Sequence, residues 1–217
     1  MKVIAFATQK GGVGKSTLCL SCAVLAAAEG SRVAVIDADP QGTLVRWAGE
    51  RGGRPPPVTA VAPAELADAI ERQRAAGCDY VFVDARSGDD AGTTAALRAA
   101  DYIVVPTRIS PADVWAVAAT VATLRRLGKP FAVALNQTPP VGFRLVAAQE
   151  TTTELGKAVP RPLVLRTDHQ DAVGRGLGVT EFNPNGKAAA EIREMWAWLK
   201  VEMVGSAPDP AEPPAGR

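Results

Sequence analysis

The chain has few of the residues that build disulfide and metal sites. Its 217 residues include three cysteines and a single histidine. Cys19 and Cys22 form one C-x-x-C pair and Cys78 stands alone, whereas zinc and iron–sulfur sites usually take four ligands. A redox pair usually lies at a helix N-terminus, a place that this sequence gives to another motif. We therefore expect free thiols, with Cys19 and Cys22 buried as small hydrophobic residues, in a reducing cytoplasm.

Long apolar runs and an excess of one charge are also missing. No run approaches the ~20 apolar residues of a membrane-spanning helix, and Met1 leads into a first strand without a signal peptide. The net charge of +1 favours no particular partner, and 47% hydrophobic residues support a globular core. We expect one cytoplasmic domain over residues 1–204, with no membrane partner, and a disordered proline-rich tail over 205–217.

A glycine-rich stretch at residues 9–17, with the sequence QKGGVGKST, organises the rest of the chain. It follows an apolar strand and precedes an alanine- and leucine-rich helix, which is the context of a phosphate-binding loop. Lys15 is then placed for the outer phosphates of a nucleotide, and the Ser16 hydroxyl for Mg²⁺. The candidate nucleotide ligands are Gly11, Gly12, Val13, Gly14, Lys15, Ser16 and Thr17.

Two later strands end in carboxylates. Asp37 closes the apolar run 32–37 and is followed by Asp39, and Asp84 closes the run 80–84. An apolar strand that ends in aspartate is typical of the Walker B motif, whose carboxylate holds Mg²⁺. Two carboxylates two residues apart suit two tasks, ligation of a metal-bound water and orientation of the attacking water. Capping of the next helix is the alternative for Asp37 and Asp39.

The stretches KGGVGKS at residues 10–16 and Asp37-x-Asp39-Pro40-Gln41 resemble the deviant Walker A motif and switch I of the ParA/MinD superfamily. The ordinary motif has a glycine where this chain has Gln9, and the signature lysine of the superfamily falls at Lys10. The resemblance covers about residues 2–200. It implies that Lys10 reaches the ATP of the partner in a nucleotide-sandwich homodimer.

The same resemblance implies roles for further residues. Lys10, Lys15 and Asp39 would carry catalysis, with Asp39 orienting the attacking water. The implied Mg²⁺ ligands are Ser16, Asp37 and Asp84. Asn136, at the end of a later strand, would contact adenine, with strand-end capping as its alternative. No N-K-x-D follows, so ATP is favoured over GTP.

Two segments lie outside these motifs. Residues 167–179 resemble the late stretch that closes over the base, and His169 within them is expected to be a surface or loop residue. After Asp84 the superfamily usually has small residues or a proline pair. Here Arg86, Asp89 and Asp90 occur in that stretch, and we assign them no role.

Alternating strands and helices predict an α/β fold, a doubly wound, mainly parallel sheet with helices on both faces of a P-loop NTPase. We predict a sheet of five or six strands, with five main strands and the short segments as further candidates. The predicted strands are 3–7, 32–37, 80–84, 101–106 and 131–137, with short ones at 58–61 and 163–166, and the predicted helices are 18–28, 43–50, 63–76, 110–127, 141–157 and 186–203.

The resemblance implies a small ParA-type ATPase that uses ATP and Mg²⁺. It would dimerise with ATP, bind nonspecific DNA on the nucleoid, and partition plasmid or chromosomal DNA with a ParB-like or other adaptor. Another cargo (a carboxysome, chemoreceptor or conjugative DNA) and a metabolic ATP-dependent ligase are alternatives. A membrane positioner and a redox ATPase are disfavoured by the proline-rich end and the shortage of cysteines. The candidate DNA contacts are Arg166, Arg175, Lys187 and Arg193.

Overall fold

The computed structural model describes residues 1–88 and 91–205. Asp89 and Asp90 therefore lie outside the described residues, as does the predicted tail beyond Gly205. The last helix extends to Gly205, one residue into the segment that the sequence assigned to the tail. No helix in the described ranges is long and apolar enough to cross a membrane.

Six strands of the described chain form one sheet in which every pair is parallel. Their order is β3-β2-β4-β1-β5-β6, so the chain crosses over between strands that are not neighbours in sequence. The central strands are apolar on both faces because helices cover both sides, as parallel sheets require. The strands are β1 Lys2–Phe6, β2 Val33–Asp37, β3 Val58–Ala60, β4 Tyr80–Asp84, β5 Tyr102–Thr107 and β6 Phe131–Leu135.

The six predicted helices are present, with 63–76 divided into a 3₁₀ turn (Pro63–Glu65) and a helix. Three further helices, at 91–99, 167–173 and 179–182, were not predicted. Ser110 caps its helix as predicted, accepting from the Asp113 N–H, with Pro111 in the first turn. The helices are α1 Lys15–Ala28, α2 Thr43–Arg51, α3 Leu66–Ala75, α4 Ala91–Ala99, α5 Pro111–Arg126, α6 Phe143–Leu155, α7 Thr167–Val173, α8 Val179–Phe182 and α9 Lys187–Gly205.

The predicted strand at 163–166 was wrong as a full strand. Residues 157–165 run beside β6 and exchange backbone hydrogen bonds with it, but only single parallel bridges form, at Val133–Ala158 and Thr138–Val164. Pro160 and Pro162 lie between them and have no N–H to donate, so the ladder cannot continue.

The two faces of the sheet carry separate apolar cores. On one face Phe6 and Phe82 pack with α1, α2 and α9, and on the other Val81 and Val83 pack with α3, α4 and α5. The predicted buried stripe of α9 is confirmed: Ile192, Trp196, Leu199 and Met203 are all buried. Cys19 and Cys22 are buried as predicted, and no disulfide forms among the described cysteines. This packing confirms the predicted α/β fold.

Candidate nucleotide-binding site

The glycine-rich loop turns from the end of β1 into the start of α1, and Gly14 makes this turn possible. Gly14 precedes α1 with φ +88°, a left-handed conformation that favours glycine. A Cβ at this position would lie 2.3 Å from Asn136 Nδ2. No side chain in the described structure caps α1, so its N-terminal N–H groups and its positive dipole end remain open to an anion.

A cavity of about 580 Å³ opens above this loop, at the carboxyl ends of the strands. It brings together most of the predicted phosphate loop with Asp39, and adds residues that the sequence did not single out. Its lining consists of Gly11, Gly12, Gly14, Lys15, Ser16, Thr17, Asp39, Gln41, Thr43, Arg86, Ser87 and Gln137.

Lys15 is a buried cation in the lining of the cavity. It is only 6% exposed, and its Nζ donates a hydrogen bond to Ser87 Oγ. Burial lowers the pKa of the Lys15 ammonium, and the nearby Asp84 and Asp39 carboxylates oppose that shift. A buried cation at this place can bind an anionic ligand strongly because little water screens the charge.

Asp84 is completely buried at the end of β4, opposite Asp37 of β2 in the parallel register. Neither of its carboxylate oxygens has a hydrogen-bond partner among the described residues. Burial raises the pKa of Asp84 to about 7; the neighbouring Ser16 and Lys15 act against that shift and Asp37 adds to it. An orphaned buried carboxylate beside a phosphate loop fits a bound cation.

The donor set around Asp84 suits Mg²⁺ rather than a metal held entirely by protein. Within the described ranges no group of three or more histidine, cysteine or carboxylate side chains could hold a metal. Mg²⁺ typically takes one or two carboxylates and completes its shell with waters and phosphate oxygens. Asp84 and the Ser16 hydroxyl would hold the ion, which supplies positive charge next to the outer phosphates.

The Asp37 carboxylate, unlike that of Asp84, already accepts hydrogen bonds from the backbone. Its oxygens accept from the N–H groups of Asp39 (3.2 Å), Leu44 (2.9 Å) and Val45 (3.1 Å), so Asp37 caps the start of α2. Burial raises the Asp37 pKa, and these hydrogen bonds oppose the shift. Asp37 therefore caps α2 in this structure, which was the alternative to a metal-binding role. Any contact of Asp37 with Mg²⁺ would be made in addition to this cap.

A second cavity, of about 430 Å³, adjoins the first, and Thr17 and Gln137 line both. Asn136 lies between the second cavity and the loop: its Nδ2 donates to the Val13 carbonyl over 2.8 Å. Gln137 has φ +53° and donates to the Gly12 carbonyl over 3.4 Å. The predicted closing segment contributes His169, Gln170, Val173 and Gly174 to this lining, and Arg166, just before that segment, also lines it.

The expectation for His169 was wrong. This residue lies in α7, half-buried, and lines the second cavity. Both of its ring nitrogens are buried without a partner among the described residues, and burial lowers the His169 pKa, which keeps the ring neutral. Only the resemblance of the whole segment pointed to this cavity, because a lone histidine carries no motif.

Lys10 and three of the candidate DNA contacts, Arg175, Lys187 and Arg193, line neither cavity, whereas Arg166 lines the second. The Lys10 ammonium lies close enough to the start of α5 to help lower the Asp113 pKa, after the stronger hydrogen bonds from Ser110 and Arg108. Arg175, Lys187 and Arg193 are exposed, but Arg166 is mostly buried and pairs with the buried Glu191.

A parallel α/β sheet with a phosphate loop, an orphaned Walker B aspartate and an adjoining second cavity defines a P-loop nucleotide-binding protein. The family model described as "CobQ/CobB/MinD/ParA nucleotide binding domain" matches residues 4–179. The chain therefore belongs to the ParA/MinD superfamily of P-loop proteins, as the resemblance implied.

Curated relatives share most of their length with this chain. It is 30% identical over 197 residues to the maintenance of carboxysome distribution protein A of Halothiobacillus neapolitanus, covering 87% of this chain and 91% of the relative. The protein of the same name from Gloeobacter kilaueensis is 34% identical over 215 residues, covering 93% and 94%. The septum site-determining protein MinD of Pyrococcus horikoshii, solved with Mg-ADP, matches with a TM-score of 0.77 at 14% identity, covering 96% and 99%.

Proposed function

We propose that this protein is an ATPase that positions a large intracellular cargo through an ATP-dependent cycle. The observation that carries the proposal is the buried pair of Lys15 and Asp84, a cation and an orphaned carboxylate beside one phosphate loop. The pair suits a magnesium–triphosphate, whose outer oxygens need both a direct cation and a metal ion.

The second cavity supports adenine as the base. It adjoins the phosphate cavity at Thr17 and Gln137, so one nucleotide can span both. A guanine site uses a carboxylate to read the exocyclic amino group, and no described residue of this lining carries a carboxylate. Asn136 and the neutral His169 offer amide and imidazole groups instead.

In the proposed reaction each residue has one task. Lys15 and the loop N–H groups bind the outer phosphates, and Asp84 and Ser16 hold Mg²⁺. Asp39, which lines the phosphate cavity, orients the attacking water. Lys10 of each protomer reaches the nucleotide of the other, so hydrolysis would need the homodimer.

The relatives favour a carboxysome over a plasmid as the cargo, because both carboxysome distribution proteins align over nearly the whole chain. The central test measures phosphate release from ATP, with Mg²⁺, with and without nonspecific DNA. A metabolic ligase would instead need a small-molecule acceptor and release a new product. Turnover accelerated by DNA or a partner protein, with no further product, supports the proposal; absence of any ATP binding would contradict it.

An adaptor needs a surface, and an apolar groove between α5 and α6 is available for it. Trp115 is 73% exposed and Phe143 is 80% exposed, and both line a cavity of about 550 Å³ with Val114. The start of the same α5 helix lies near Lys10, and its Thr120 hydroxyl accepts from the Gln9 N–H over 3.4 Å. An adaptor bound here would touch the helix that supports the phosphate loop.

The groove can be tested by polar substitution. Trp115→Ser with Phe143→Ser should leave ATP turnover without adaptor within about twofold of the unmodified chain, since neither side chain lines the nucleotide cavities. It should abolish stimulation by the adaptor. Val201→Ser, at an exposed apolar residue of α9, is the matched control. Full stimulation of the double variant would place the adaptor elsewhere.

Nonspecific DNA binding is proposed for the ATP-bound dimer, which would associate with the nucleoid. Arg175, Lys187 and Arg193 are its accessible candidates, because Arg166 already pairs with Glu191. Phosphate contacts predict sequence-independent binding that weakens steeply with salt. Fluorescence anisotropy over a salt series, with and without ATP, tests this; equal binding without ATP would contradict a surface assembled on dimerisation.

A further inference from the structure

Ser87, three residues after Asp84, connects the segment after β4 to the phosphate loop. Its hydroxyl accepts a hydrogen bond from Lys15 Nζ and donates one to the Lys10 carbonyl over 3.5 Å. A Cβ built on Gly11 would lie 3.8 Å from Ser87 Oγ, so the hydroxyl also lies over the glycines of the loop. The Ser87 side chain thus contacts the loop both at Lys10 and at Lys15.

The backbone around Ser87 is held in place from two sides. The Ala85 N–H donates to the Phe6 carbonyl over 3.1 Å, and the Thr93 hydroxyl donates to the Arg86 carbonyl over 3.3 Å. Ser87 therefore projects into the phosphate cavity from a supported segment, and its position does not depend on its hydroxyl alone.

The two hydrogen bonds of Ser87 differ in strength. The bond from Lys15 involves a charged donor, whereas the bond to the Lys10 carbonyl is near the distance limit and weak. A hydroxyl can accept and donate at once. The Ser87 proton can therefore turn from the Lys10 carbonyl to an anionic oxygen while Lys15 stays bound.

Ser87 lines the part of the site that would hold the phosphates. It lines the phosphate cavity but not the second cavity, which joins the first at Thr17 and Gln137. A nucleotide whose base occupies the second cavity would place its phosphates in the first, where Ser87 contacts Lys15. Because Lys15 is the residue placed for the outer phosphates, its hydrogen-bond partner Ser87 is placed for them as well.

We propose that Ser87 is a specificity-determining residue that donates to the terminal phosphate of ATP and so helps the protein distinguish ATP from ADP. The inference rests on the proposed function, because it assumes that adenine nucleotides bind across the two cavities. ADP ends before it reaches this hydroxyl, so Ser87 contributes to the binding of the triphosphate alone.

The test compares affinities for Mg-ADP and for the non-hydrolysable Mg-AMPPNP by calorimetry, at a protein concentration where sedimentation shows only monomers. Ser87→Ala should weaken AMPPNP about tenfold, the loss expected for one charge-assisted hydrogen bond, and leave ADP within twofold. Ser87→Thr keeps the hydroxyl and should retain the preference of the unmodified chain for AMPPNP over ADP. Ser31→Ala, between α1 and β2 at the opposite end of the strands, is the matched control.

Two outcomes would overturn the inference alone. Equal weakening of both nucleotides in Ser87→Ala would assign Ser87 a structural role, and an unchanged ratio of affinities would remove it from recognition. If the unmodified chain binds neither nucleotide, the proposed function fails and this inference fails with it. Thermal melting of each variant checks that the fold is intact.

Discussion

Asp84 is a buried carboxylate with no hydrogen-bond partner among the described residues, a position in which the ionised form is unfavourable. We expect Asp84→Asn to raise the free energy of unfolding of the nucleotide-free protein by about 2 kcal/mol at pH 8. The shift of the Asp84 pKa from 3.8 to about 7 corresponds to a penalty of about 4 kcal/mol, and the buried asparagine amide, which also lacks partners, offsets part of the gain. The same variant should lose Mg²⁺-dependent ATP turnover. Urea unfolding and a phosphate-release assay measure the two effects.

The pH dependence of this gain has a definite sign. Above pH 7 the Asp84 carboxyl is ionised in both the folded and the unfolded state, so burial of its charge destabilises the folded protein in full. As pH falls from 7 toward the ordinary pKa of an aspartate, the folded state binds the proton first and this destabilisation disappears. The advantage of Asp84→Asn should therefore shrink from pH 8 to pH 5. Equal stability of the variant and the unmodified chain at pH 8 would show that Asp84 is not strained by burial.

Asp39 lines the phosphate cavity, and its carboxylate accepts a hydrogen bond from the Gln41 N–H over 2.9 Å. If it orients the attacking water, Asp39→Ala should slow ATP turnover by about 100-fold or more and leave ATP affinity within a few-fold. Calorimetry and single-turnover kinetics separate the two. Asp68→Ala, an exposed acid on α3, is the control.

Two results would change the interpretation of Asp39. Normal turnover in Asp39→Ala would remove it from the mechanism. Loss of ATP binding would instead indicate a role in the structure of the site or at the metal.

At the scale of elements, one arginine joins α2 to the segment that closes the second cavity. Arg51 is 3% exposed and forms a two-pronged ion pair with Glu181 of α8. It also donates to the carbonyls of Pro55 and Gly176, and it stacks on Trp47. The Arg51 hydrogen bond contributes to the lowered pKa of Glu181, which burial opposes.

Loss of this arginine should leave the partly buried Glu181 carboxylate without its cation and remove a donor from the Pro55 and Gly176 carbonyls. We expect Arg51→Ala to lower the free energy of unfolding by about 2–4 kcal/mol, the range for a broken buried pair reduced because Glu181 is 30% exposed. Arg46→Ala, an exposed arginine on the same helix, should change it by less than about 0.5 kcal/mol. Equal effects of the two variants would contradict the structural role of Arg51.

At the scale of the whole molecule, Lys10 tests whether two protomers share their nucleotide sites. Lys10→Ala should retain most of its ATP binding as a monomer and lose ATP-dependent dimerisation and turnover. Sedimentation with ATP and Mg²⁺, in the Asp39→Ala background where slow hydrolysis preserves dimers, makes the comparison. Lys2→Ala, at the opposite end of β1, is the control. Normal dimerisation of Lys10→Ala would show that Lys10 makes no cross-dimer contact.

The local pattern was sufficient for the six strands of the sheet, for the six predicted helices and for the glycine-rich turn before α1. Apolar runs ending in Asp37 and Asp84 became β2 and β4, and the stretch around Gly14 became a turn before α1. These predictions hold because burial on both faces of a parallel sheet needs continuous apolar strands, and a phosphate loop needs glycines in a short span.

Other features depend on chain segments that are distant in sequence. Asp37 and Asp84 are opposite each other because β2 and β4 are neighbours, an order that no local pattern contains. The same order brings Ser87 to Lys15, 72 residues away in the chain. Asp84 is short of partners and Asp37 is not, because only Asp37 lies within reach of the free N–H groups of α2.

The sequence by itself determined the glycine-rich turn before α1, the ends of β2 and β4 at Asp37 and Asp84, and the family to which the chain belongs. Tertiary structure alone decided which carboxylate stays orphaned, that His169 faces a cavity, and that Ser87 holds the loop lysine. The physical reason is range: helix, strand and turn preferences act over a few residues, whereas burial and charge pairing depend on which distant segments the sheet order brings together.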